Sequence, residues 1–136
     1  MTSALPQLTG GIFLSDGGLE TSLVFLDKIE LPHFAAFTLL EDELGRERLK
    51  SYYVPYLELC GETPGAGFIP ETPTWRANSD WANLLGVDDA RLSAINTDAA
   101  QMLCSMRSRW AAKMARWFVE PIELACSPAL RIRPGL

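Results

Sequence analysis

Two short segments carry residue types suited to chemistry. The first is Asp16-Gly17-Gly18, an acid and two glycines set just after the apolar run GIFL (residues 11–14). A carboxylate there can accept hydrogen bonds from a ligand ammonium group, and glycines let a ligand approach the backbone with no Cβ in the way. The same residues also make an ordinary tight turn with Asp16 capping the next helix, and spacing alone favours that turn. The second segment is PETPTWR (residues 70–76), after the apolar run AGFI (residues 66–69). Its Trp75 can wall a site for an organic cation, a sulfonium or quaternary ammonium, by cation–π attraction. The simpler alternative is a Trp packed under a loop with a solvated Arg76 beside it.

Other motifs carry less. Gly65-Ala66-Gly67 precedes a strand candidate rather than following it, and it lacks a third glycine, so a dinucleotide site is rejected. His33 has no ligand-type neighbour in sequence and reads as structural or exposed. Cys60, Cys104 and Cys126 are widely spaced and odd in number, which suits reduced thiols better than a disulfide framework. Cys60 and Cys104 fall on apolar helix faces and read as small core residues. No zinc spacing and no nucleophile elbow occurs.

These segments need elements to hold them. Residues 11–14 and 66–69 read as short buried strands. Leu19, Leu23 and Leu26 step by four and three from the first loop, a helical stripe. A second helix is expected from about 40 to 60, with Leu49, Tyr52, Tyr53, Tyr56, Leu57 and Cys60 on one face and acids in its first turn. Pro55 is expected to kink or split it. The longest helical pattern covers about 88–117, with Asp88 or Asp89 as a cap and a break expected near Asn96. Alternating strands and helices favour an α/β architecture with parallel strands. Two strands cannot complete such a sheet, and the chain reads as the opening of something larger.

Composition sets the remaining bounds. The 136 residues are 48% hydrophobic and 21% charged, a globular balance. A net charge of −5 with no basic run speaks against a nucleic-acid partner. The start MTSALPQLTGG lacks the features of a secretory signal, and the run FAAFTLL (residues 34–40) is too short to cross a bilayer. No membrane role and a cytoplasmic location are expected.

Taken together, LSDGGLETSLVF, LPHFAAFTLLEDELGRERLKSYYVPYLEL, GAGFIPETPTWRANSDWANLLG and INTDAAQMLCSMR resemble the N-terminal part of the homocysteine S-methyltransferase family. The resemblance covers roughly residues 10 to 110 and is strongest at DGGLET and GFIPETPTWRA. It implies the first two or three βα units of a TIM (β/α)8 barrel: an extension over 1–9, a partial homocysteine-binding barrel domain over 10–117, and a divergent tail over 118–136. It implies that Asp16, Gly17 and Gly18 contact the amino-acid part of homocysteine. Thr74 is carried over from the second loop, with Glu71 and Trp75 as pocket neighbours. Homocysteine and a methyl donor are the implied partners.

The family's zinc is held by three cysteines in motifs that this sequence lacks, so no metal ligand and no catalytic residue is assigned. The metal keeps homocysteine as a thiolate. Without it a thiol of pKa about 8.5 stays mostly protonated at neutral pH. A barrel takes about 250 residues, and FVEPIELACSPALRIRPGL does not resemble the family. The expectation is a truncated or frame-shifted product, inactive alone or completed by a partner as a non-catalytic binding module. Exposed barrel edges would favour its self-association.

Overall fold

A computed structural model describes residue 8, residues 10–110 and the backbone of Arg116–Trp117. The apolar run after Gly11 forms β1 (Phe13–Ser15), and the run after Ala66 forms β2 (Gly67–Ile69). They pair in parallel, Phe13 against Gly67 and Ser15 against Ile69. A two-residue strand, β3 (Arg116–Trp117), pairs with the far side of β2, giving the order β1-β2-β3. A parallel pair needs a crossover, and helices supply it here. Helix α1 (Leu19–Thr21) passes into a π-helical turn over Ser22–Leu26. Two 3-10 segments, Pro32–Phe34 and Ala36–Glu41, lead into α2 (Glu43–Glu62). After β2 come α3 (Ser79–Leu84) and α4 (Asp89–Trp110).

The expected α/β fold, the opening units of a TIM barrel, is overturned. Helices hold most of the described residues, and the sheet consists of strands of two or three residues. In a barrel the sheet itself fills the interior. Here the largest fully buried side chains, Leu23, Phe37, Leu40, Leu49, Tyr53, Leu57, Ile95 and Leu103, come from helical segments, and Phe68 alone comes from a strand. α2 and α4 pack on one another and on the Ala36–Glu41 segment, while α2 also covers β1 and β2. The core is helix against helix, with a small sheet at one side. β1 lies at an edge of this sheet, paired on one side only.

Local signals explain most boundaries. Asp42 caps α2 by accepting from the Gly45 N–H at 2.7 Å. Asp88 accepts from Arg91 N–H at 2.7 Å at the start of α4, and Asn78 caps α3, a helix the sequence pattern does not predict. Two expected breaks are absent. α2 runs through Pro55, since Tyr52, Tyr53, Leu57 and Cys60 on either side of it are all buried. α4 continues past Asn96, whose amide donates to Leu92 O and Ala77 O instead of capping a new segment. The helix expected to reach 117 ends at Trp110, and Arg116–Trp117 form a strand instead. Residues 111–115, the tail over 118–136 and most of the extension over 1–9 lie outside the described residues. Among the described residues no helix is long and apolar enough to cross a membrane.

Candidate functional site

Parallel strands end on the same side, so the segments following β1 and β2 converge. A cavity of about 600 Å3 opens between them. Asp16, Gly18 and Glu20 line it from the first segment, and Glu71, Thr72, Thr74 and Trp75 from the second, with Leu19, Ile69 and Pro70 as its apolar part.

Asp16 joins the two segments. It is 7% exposed, and its Oδ1 accepts the Glu71 N–H at 2.7 Å. Its Oδ2 accepts from the Tyr52 hydroxyl at 3.2 Å. A carboxylate has about four acceptor positions, so two stay available on a side chain that lines the cavity. Burial raises the Asp16 pKa above the ordinary 3.8, the hydrogen bonds from Glu71 N–H and Tyr52 opposing the shift and the Glu71 charge adding to it. No described ion pair includes Asp16. The turn reading, in which Asp16 caps the next helix, fails: Gly18 is the N-cap of α1, with φ of 69°, and no side chain caps it.

One helix face holds both loops. Tyr52, Tyr53 and Tyr56 leave α2 on the side of the strand ends. Tyr52 and Tyr56 reach Gly17 O at 2.9 and 3.2 Å, and Tyr53 donates to Glu71 O at 2.6 Å. The rings of Tyr52 and Tyr53 meet edge to face with centroids 5.1 Å apart, and Tyr56 stacks on Phe68 at 6.4 Å. Burial pushes the Tyr52 and Tyr53 hydroxyls well above the usual phenol range. Both stay protonated and serve as hydrogen-bond donors, not as acids. The sequence marked these tyrosines only as a buried stripe. Their hydroxyls' targets depend on how the strands pair, which no local spacing encodes.

The structure brings together Asp16, Gly18, Glu71, Thr74 and Trp75. Gly17 stands behind the wall, with its carbonyl turned to the tyrosines. Thr74 Oγ1 lies 2.6 Å from Thr72 Oγ1, a hydroxyl pair that the sequence reading half missed, and Glu20 was missed as a lining residue. Trp75 is 67% exposed at the cavity. The Arg76 guanidinium, read as solvated, lies over the Trp75 ring at 4.6 Å and over Trp81 at 4.0 Å, and it donates to His33 O. The protein's own cation thus occupies one face of the aromatic wall.

Among the described residues no three His, Cys, Asp or Glu side chains gather as ligands. Cys60 is buried in the core and points its Sγ at Ala66 O, 3.7 Å away, and burial raises its thiol pKa. Cys104, expected to be reduced, is disulfide-bonded.

No family model, no curated protein and no solved structure matches this chain.

Proposed function

We propose that the chain binds homocysteine in the cavity over Asp16, as the substrate-holding part of a homocysteine S-methyltransferase-type activity. One observation carries this reading: a buried carboxylate faces the cavity with acceptor positions to spare and no described ion pair. The ligand's ammonium group takes those positions, with Glu20 and Glu71 adding negative potential. In the Thr72–Thr74 hydroxyl pair one proton is spent between the two oxygens and the other stays free to donate to the ligand carboxylate. Leu19, Ile69 and Pro70 suit its methylenes. Trp75 stands where a sulfonium or related methyl donor would approach. A cytoplasmic setting belongs to the same reading.

The donor set favours a second reading, binding without turnover. With no ligand set for zinc among the described residues, they supply nothing of the family's kind to hold the thiol as thiolate. Methyl transfer then needs activation from outside the described part of the chain. Assays with S-methylmethionine, S-adenosylmethionine and betaine separate the two readings.

Binding itself is tested by amide NMR spectra recorded during addition of homocysteine. The expected result is a saturable set of shifts centred on Gly18, Glu71 and Thr74. Shifts confined to other surfaces, or none at millimolar ligand, would refute the reading.

A further inference from the structure

We infer that Asp16 and Tyr52 form a proton-controlled switch in which the Tyr52 hydroxyl passes its hydrogen bond from Asp16 to the Gly17 carbonyl, turning the cavity's buried charge off. The argument begins with counting hydrogens. A tyrosine hydroxyl has one proton to donate, yet Tyr52 Oη lies 3.2 Å from Asp16 Oδ2 and 2.9 Å from Gly17 O. It can serve only one of them at a time. Tyr56 Oη stands 3.2 Å from the same Gly17 carbonyl and is exposed enough to turn elsewhere.

Two complete arrangements follow from one set of heavy-atom positions. With Asp16 ionised, Tyr52 donates to Oδ2 and Tyr56 satisfies Gly17 O. With Asp16 protonated, the acid donates from Oδ2 to Tyr52 Oη, and Tyr52 donates to Gly17 O. The Glu71 N–H stays on Oδ1 in both. Neither state leaves a buried polar group unpaired, so neither carries the penalty such a group brings.

The charged and titratable groups around Asp16 bias it in one direction. They are Glu20 at α1, Tyr52, Tyr53 and Tyr56 on α2, and Glu71 after β2. None is a cation. Burial and the Glu71 charge both favour the protonated acid, which moves the switching range up from ordinary carboxylate pH. The switch concerns the protein alone. Its effect on ligand binding rests on the homocysteine reading: the ionised state receives an ammonium group and the protonated state does not.

The experiment follows the 13C shifts of the Asp16 carboxyl and the Tyr52 Cζ in the full chain from pH 3 to pH 8. Both signals are expected to move with one midpoint, lying above 3.8. In Tyr52→Phe the Asp16 midpoint rises by about one pH unit, since a charged hydrogen bond is lost from the ionised form. A Tyr52 signal that ignores the Asp16 midpoint overturns the switch, and this readout needs no variant to fold. An Asp16 midpoint unchanged or lowered in a folded Tyr52→Phe chain also overturns it. Homocysteine affinity measured over the acidic half of this range should rise through the same midpoint. Coupled titration without any homocysteine binding leaves the switch standing and removes the homocysteine reading.

Discussion

Asp16→Ala is expected to lose about 2 kcal/mol of stability together with all measurable homocysteine binding. The mutation strips the Glu71 N–H of its acceptor at a part-buried position, a loss of about 1–3 kcal/mol. Relief of the buried charge works against this. The lost bond wins because Asp16 joins the ends of two strands that are each only three residues long. Asp16→Asn separates fold from function. Its amide oxygen can keep the Glu71 N–H, and its NH2 can donate to Tyr52 Oη while Tyr52 turns to Gly17 O. Stability should then stay within about 1 kcal/mol of the parent, while affinity falls about tenfold or more with the charge.

The two chains should also differ in their response to pH. A carboxyl whose folded pKa is raised favours the fold most when protonated, so its contribution is fully present below the ordinary value of 3.8. That contribution is lost as pH rises through the folded value. Denaturant midpoints of the parent should carry this fall, and those of Asp16→Asn should lack it.

Gly45→Ala is the largest stability effect expected outside the site. Alanine is ordinarily better than glycine inside a helix by about 1 kcal/mol. At this position a Cβ would lie 2.1 Å from Leu39 O and 2.8 Å from Leu39 Cα, backbone atoms that no side-chain rotation can clear. The clash decides the sign. The start of α2 must move off the Ala36–Glu41 segment, where Phe37 and Leu40 are fully buried. A loss of about 3 kcal/mol is expected, seen as a drop of roughly 10 °C in Tm. An unchanged or higher Tm would show that α2 and the segment before it are not packed this closely.

Much of the site was legible in the sequence because it follows from local patterns. Asp16-Gly17-Gly18 and the segment from Pro70 stand out as loops after short apolar runs, and parallel pairing of those runs brings the loops together. The helix carrying the tyrosines was legible from its three-and-four spacing. The work those tyrosines do was not, since a hydroxyl's partner 18 to 39 residues away depends on tertiary packing. α3 escaped because it is only six residues long, although Asn78 is a recognisable cap. Pro55 misled because its missing N–H is a local fact, whereas the buried residues on both sides of it are a tertiary one. The fold class failed for a related reason. Strand-helix alternation gives the order of elements but not whether the sheet or the helices fill the core, and here Leu49, Leu57, Ile95 and Leu103 fill it.

The central claim is that the cavity over Asp16 holds an amino acid by its ammonium group. Titration calorimetry comparing homocysteine with its des-amino analogue, 4-mercaptobutyrate, at pH 7 tests it most directly. Binding of homocysteine at least about tenfold tighter than the analogue is predicted, the value of one charge-assisted hydrogen bond. Equal affinities, or tighter binding of the analogue, would contradict the account.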